Sequence, residues 1–363
     1  MPNVTAEAGG GCSLDEDEAT ECTDTVAPVR RYSRGGAEKA GARPCVVALA
    51  VLALALPLAS APTQAQLSQR PMQVIVPFAP GASADGAARI VANDLGPRLG
   101  RQVVVEHRAG AGGALGLQML AKSPPDGDTL GVGATGALLL NPNLPSNPGP
   151  DLLRELAPVA KLIEVALVLV ANPSTGPKSI PDMIERSKTR PGGLTYGSTG
   201  TNSSQHLSIE LLKRVTGANL VHVPYRGSAP AVVDVIGGQI PLASVDLTSA
   251  YPHIQAGRLH ALGLIDDKRF AVAPEIATIA ESVPGFGRAS GFIGLFAPAG
   301  TPAPIIKKIS HEVATILATP GAQAAARTLT AAIAYEDDAT FARFLAGESV
   351  KWKEALASLD LGQ

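Results

Sequence analysis

The chain has 363 residues, 45% of them hydrophobic and only 4% aromatic, with a formal net charge of −2. That length is enough for two domains of ordinary size. A near-neutral chain with scattered charge offers no basic patch, which argues against a nucleic-acid partner.

The first 65 residues read as a leader and not as part of the fold. The basic stretch RRYSRGGAEKAGARP (30–44) precedes the apolar run CVVALAVLALALPLAS (45–60). Ala59-Ser60-Ala61 and, less well, Thr63-Gln64-Ala65 then offer a small-residue cleavage signal. That order is the order of a secretory signal peptide. The run is shorter than the roughly 20 residues a membrane-spanning helix needs. The expectation is export to the periplasm, with cleavage near Ala61 or Ala65. Cys12, Cys22 and Cys45 all precede those positions, so the exported chain would hold neither thiol nor disulfide.

Strand and helix patterns alternate from residue 72 onward. MQVIVPF (72–78) is a strand, and Ser83–Leu99 a helix with Ala87, Val91, Leu95 and Leu99 at four-residue steps. Ser83 is its candidate N-cap and Gly100 its stop. QVVVEH (102–107) is a strand, GALGLQMLAKS (113–123) a helix, and LGVGATG (130–136) a strand running into a small-residue loop. VALVLVA (165–171) is a continuous apolar run, as in a strand buried on both faces. Helices then begin at Ile180, near Ser204, at Ser228 and after Leu247. LTYGS (194–198), LVHVPY (220–225), IPLASVDL (240–247) and LHALGLI (259–265) are the strands among them. Residues 291–320 give a strand, a Gly/Pro turn and a long helix, and two more helical stretches end the chain. Such alternation implies a parallel sheet covered by helices.

In open α/β sheets, ligands bind at the carboxyl ends of strands. Three loops there share one composition: Pro80–Asp85, Gly133–Ala137 and Gly197–Gln205. All are rich in Gly, Ala, Ser and Thr, and the first and third enter helices, whose free N–H groups hold anions. Ser83, Thr135, Ser198, Thr201, Asn202 and Ser204 add neutral hydrogen-bonding groups.

Catalytic patterns fail on inspection. GVGATG (131–136) fits a dinucleotide fingerprint, but Asn141-Pro142 interrupts the helix that must follow. GASAD (81–85) lacks the last Gly of a nucleophile elbow, and HEVAT (311–315) lacks the second His of a zinc protease. The other histidines show no metal-ligand spacing, so no metal or cofactor is expected. One enzymatic alternative is an exported carboxylate-ester hydrolase, with Ser83 or Ser198 as nucleophile and His206 or His222 as base. It requires a Ser–His pair within hydrogen-bond reach.

Six stretches in order carry a resemblance: VPFAPGASAD (76–85), VVVEHRAGAGGALG (103–116), PPDGDTL (124–130), STGTNSSQHL (198–207), VHVPYRGSAPAVVDVIGGQI (221–240) and FAPAGTP (296–302). With them the chain resembles the Bug family, the extracytoplasmic solute-binding proteins of tripartite tricarboxylate transporters. The resemblance implies an α/β, two-lobed, periplasmic-binding-protein-like fold of the type II, Venus-flytrap kind, with a mainly parallel sheet in each lobe. Lobe 1 would comprise 67–171 and 288–363, lobe 2 172–287, with crossings near Ala171–Pro173 and Gly287–Gly291. It further implies a monomer that captures a small carboxylate and delivers it to membrane permease subunits. Presentation of the ligand to a sensory membrane receptor is the alternative.

By the same resemblance, ligand contact is expected at Phe78, Gly81, Ala82, Ser83 and Asp85 of the first loop. Ser198, Thr201, Asn202 and Ser204 would meet it from the other lobe, with Thr135, Gly136, Tyr225, Arg226 and Asp246 around them. From the residues alone, Asp85 could equally brace the helix start, Tyr225 pack at the rim and Arg226 form a salt bridge. Ser198→Trp is expected to block binding without unfolding. Three positions depart from the family pattern. Ala82 and Asn202 stand where Gly is usual, and His107 where Asn is. If position 82 needed a positive φ, Ala there would cost about 1 kcal/mol.

Overall fold

The computed structural model describes residues 69–144, 150–286 and 291–356. The leader, the signal segment, both cleavage positions and all three cysteines lie outside the described residues. Among the described residues no helix is long and apolar enough to cross a membrane.

The first half of the fold contains β1 (Met72–Val76), α1 (Ser83–Leu99), β2 (Val103–His107), α2 (Ala114–Ala121), β3 (Thr129–Ala134), α3 (Leu152–Glu155) and β4 (Leu156–Val165). Then come β5 (Leu167–Ala171), α4 (Ile180–Thr189), β6 (Leu194–Ser198), α5 (Ser204–Thr216), β7 (Leu220–Pro224), α6 (Ser228–Ile236), β8 (Leu242–Asp246), α7 (Leu247–Gln255) and β9 (His260–Leu264). The last stretch holds β10 (Gly291–Pro298), α8 (Ala303–Leu317), α9 (Pro320–Thr328), β11 (Ala332–Glu336) and α10 (Asp338–Leu356).

Two sheets result, in the orders β11-β4-β10-β3-β1-β2 and β7-β6-β8-β5-β9. The two-lobed α/β expectation holds, but the sheets are mixed and not mainly parallel. β1 runs parallel to β2 and β3, and β6 parallel to β7 and β8. β10 is antiparallel to β3 and β4, and β5 antiparallel to β8 and β9. The cause is the crossing. β5 and β10 start at the edge where β8 and β3 end, so each runs back against its neighbours.

The first crossing also sits earlier than the sequence reading placed it. β5 pairs only in the second sheet, so the chain changes lobe at Ala166 and not at Ala171–Pro173. β4 and β5 form an almost continuous extended run, and an unbroken apolar stretch carries no mark of the switch. Most of the expected return at 287–291 lies outside the described residues.

α1 follows its apolar spacing. Ala87, Val91 and Leu95 are buried in a cluster with Val74, Val132 and Ile309, and Gly100 ends the helix at φ 65°. Ser83 is not its cap. Ala82 holds that position in extended geometry (φ −111°), and no side chain caps the helix. Ala82 therefore carries no left-handed strain; Gly81, at φ 88°, makes the turn. After β3 the expected loop is instead a wide helical turn, Gly136–Leu140, continued by a tighter one at Asn141–Asn143. Two strands escaped the sequence reading: β4, interrupted by Pro158, Lys161 and Glu164, and the short edge strand β11 between two helices.

Candidate ligand-binding site

The lobes meet along both sides of a cleft. Ala79 N–H donates to Arg226 O (3.0 Å). Ser83 Oγ donates to Asp246 Oδ2 (3.3 Å), and Ser249 Oγ to Gly81 O (3.4 Å). Asn202 Nδ2 donates to Asn141 Oδ1 (3.2 Å). Between these contacts lies a narrow cavity, with room for about 40 Å³ of water-sized volume in this closed arrangement.

Four helices begin at this cavity. Ala82, Ser83 and Ala84 border it at the start of α1, and Ser203, Ser204 and Gln205 at the start of α5. Ser228 opens α6 and Asp246 caps α7, and both line the cavity. Two of these ends are closed by their own side chains: Ser203 Oγ accepts from His206 N–H, and Asp246 Oδ1 from Ser249 N–H. α1 and α6 have no side-chain cap. They come from opposite lobes, and a Cβ built on Gly81 would lie 3.8 Å from that of Ala229. The first-turn N–H groups of an uncapped helix carry partial positive charge and favour an anion.

Of the residues expected at the site, Phe78, Ala82, Ser83, Thr135, Gly136, Ser204 and Asp246 line the cavity. Thr135 Oγ1 is oriented by the Phe292 N–H (3.2 Å). Gly136 is required by close approach, since a Cβ there would sit 2.6 Å from Ser204 N of the other lobe. Asp246, only 4% exposed, receives the Ser83 hydroxyl and is itself anchored where its N–H donates to Ser228 Oγ (3.0 Å).

The other seven stand outside the lining. Gly81 turns the chain into α1. Asp85 is a brace: its Oδ2 accepts Gly81 N–H (3.0 Å), and its Oδ1 meets Arg89 Nε and His107 Nε2, each at 2.9 Å. Burial pushes its pKa up, but the Gly81 N–H, His107 and Arg89 outweigh that and hold it below the usual value. Tyr225 donates its hydroxyl to Asp234 Oδ2 (2.6 Å) and packs behind Gly197. Arg226 is exposed and touches lobe 1 through its backbone oxygen. Thr201 is exposed as well. Asn202 adopts φ 61°, the left-handed geometry that explains Asn in place of Gly there.

Ser198 is fully buried. Its Oγ lies 2.6 Å from His222 Nε2 and accepts Gly200 N–H (3.1 Å). The Ser–His contact required by a hydrolase is therefore present, yet neither residue lines the cavity. His222 stacks on His206 (ring centroids 4.0 Å apart), and His206 Nδ1 accepts the Asn202 N–H (3.1 Å). Burial, then the neighbouring His206 and Lys213, lower the His222 pKa to about 3. Burial is also the main cause lowering His206. The pair fastens the 199–204 loop to its sheet.

Sequence reasoning missed the rest of the wall. Ser203 was legible as an N-cap three residues before His206, and Ser228 as the start of α6 after Gly227. Val165, Leu167, Phe292 and Ile293 had no signal, because they reach the cavity only through the crossing of β4, β5 and β10.

The model for TctC, described as tripartite tricarboxylate transporter family receptor, matches residues 87–361. BugT of Bordetella pertussis is 37% identical over 291 residues, covering 78% of this chain and 87% of that protein. MatC of Rhodopseudomonas palustris, solved with bound malate, is 28% identical with a TM-score of 0.73, covering 79% of this chain and 99% of that one. A second R. palustris protein, solved with adipate, is 30% identical with a TM-score of 0.73, covering 79% and 96%. The chain belongs to the TctC family of tripartite tricarboxylate transporter receptors, the family that the Bug proteins represent.

Proposed function

We propose that the protein is a periplasmic solute-binding protein that encloses a small carboxylate between its lobes and delivers it to the membrane permease subunits of a tripartite transporter. Export by a signal peptide cleaved near Ala61 or Ala65 belongs to this reading. The observation that carries it is the facing of the uncapped N-termini of α1 and α6 across the cavity, with α5 and α7 beginning at the same place. Backbone N–H groups at Ser83, Ala84 and Ser228 would receive the carboxylate oxygens, as helix N-termini receive anions. Malate and adipate, bound in the two R. palustris relatives, are carboxylates. In this reading the protein acts by binding, and the Ser198–His222 contact serves to hold a loop.

A thermal-shift panel tests this reading. It sets mono-, di- and tricarboxylates, amino acids and aromatic acids against their amides. A ligand of the folded state raises the melting temperature with its saturation. Stabilisation by a carboxylate and not by its amide is the expected result. Equal stabilisation by both would remove the carboxylate from the account.

A further inference from the structure

Three side chains at the start of α7 reach across to lobe 1. Asp246 Oδ2 accepts the Ser83 hydroxyl (3.3 Å), and the Ser249 hydroxyl donates to Gly81 O (3.4 Å). The third is Thr248, whose hydroxyl donates to Leu329 O (2.5 Å). Asp246 and Ser83 line the cavity, but neither Thr248 nor Leu329 does. The Thr248 bond therefore joins the lobes from behind the site.

The fold presents Leu329 for this contact. Leu329 ends α9, and Thr330 follows at φ 49°, a left-handed geometry that a β-branched residue rarely adopts. Thr330 is buried, its N–H donates to Arg327 O (2.9 Å), and the Ala331 N–H donates to Ala326 O (3.0 Å). These two bonds close the helix end and satisfy two of its last carbonyls. Leu329 O is another carbonyl without a helical partner, and it takes its bond from the other lobe. The Leu329 side chain meanwhile seats on Gly86, in the first turn of α1, where a Cβ would meet three of its atoms. One residue thus bears on the starts of α1 and α7 together, and both helices begin at the cavity.

Resting on the solute-binding reading above, we propose that Thr248 is a positioning residue for ligand capture. It touches no ligand. Its bond to Leu329 O is made on closure and lost on opening, so it raises affinity for every ligand by the same factor.

Thr248→Val removes the hydroxyl and keeps the shape, and Thr248→Ser keeps the hydroxyl. Titration calorimetry compares both with the wild type, using malate, adipate and every other carboxylate that stabilises the protein in the thermal panel. In Thr248→Val the Kd should rise about three- to tenfold, equally for each ligand and through faster dissociation. Thr248→Ser should bind as the wild type does. Unchanged affinity in Thr248→Val, equal weakening in Thr248→Ser, or a factor that differs between ligands overturns the proposal. Spin labels at Leu115→Cys and Val233→Cys, exposed sites on α2 of lobe 1 and α6 of lobe 2, report lobe separation without any ligand. The closed fraction should be smaller in Thr248→Val than in the wild type, and an equal fraction overturns the proposal. A wild type that binds none of the carboxylates overturns the carboxylate reading instead, and the spin-label distances still decide the role of Thr248.

Discussion

Gly136 shows how one hydrogen atom in place of a side chain permits closure. The three atoms that a Cβ there would meet all belong to Ser203 and Ser204 of the opposite lobe. Gly136→Ala should therefore cost about 1–3 kcal/mol of closure and weaken ligand binding about tenfold or more. The melting temperature of the unliganded protein should barely move, because open lobes have no such contact. Unchanged affinity by titration calorimetry would mean that the lobes close less tightly. Asp85 makes the opposite case. As a brace, its loss in Asp85→Ala should destabilise the protein by about 1 kcal/mol in urea unfolding, by removing its bonds to Gly81, Arg89 and His107. The ratio of affinities for an acid and its amide should stay constant; a changed ratio would put Asp85 in contact with ligand. At Ser198 the sequence expectation must be withdrawn. A fully buried hydroxyl bound to Gly200 and His222 leaves no room for an indole. Ser198→Trp should disrupt the sheet end and not merely fill the cleft.

At the scale of elements, β6, β7 and α5 are joined by the His206–His222 pair. Both histidines have folded-state pKa values below the ordinary 6.5, His222 at about 3. Between those values the unfolded chain binds more protons, so stability is complete above pH 6.5 and falls as pH drops towards 3. Each group loses less than about 1.4 kcal/mol per pH unit. His253, also lowered by burial and then Arg258, adds to the same slope. The urea midpoint should thus decline from pH 6.5 to about 5.5, above the range where Asp85 and Glu281 titrate in either the folded or the unfolded chain. His222→Gln should flatten that decline, and an equal slope in the variant would assign the loss to other groups. Protonation of His206 also turns Nδ1 from acceptor to donor and breaks its bond from Asn202, so ligand affinity should fall with stability. Elements of this kind were readable where local rules act alone. The four-residue spacing gave α1, Gly100 its end, and the family stretches gave the loops before α1 and α5. β4 was hidden by Lys161 and Glu164 at positions a buried strand rarely gives to charge, and by irregular pairing with β10. The apolar wall of the cavity was hidden because four strand residues meet there only after the chain changes lobe.

The lobes touch on both flanks of the cavity through the Ala79–Arg226 and Asn141–Asn202 contacts, and on the proposed binding function they close around the ligand. Among the described residues, β4 and β5 connect the lobes at Ala166. This connection is short and extended, and such hinges absorb large backbone rotations. The starts of α1 and α6 face each other here; on the proposed function, closure is what would join the positive ends of the two helices into one site. Ligand charge and closure are then a single event: an anion lowers the cost of bringing two positive ends together. A neutral analogue leaves that repulsion in place. The crystal structure of the complex with the tightest-binding carboxylate tests this coupling. Ligand carboxylate oxygens should lie within about 3.2 Å of N–H groups in the first turns of both α1 and α6, directly or through one water. A carboxylate paired instead with Arg226, or lying against one lobe only, would contradict it.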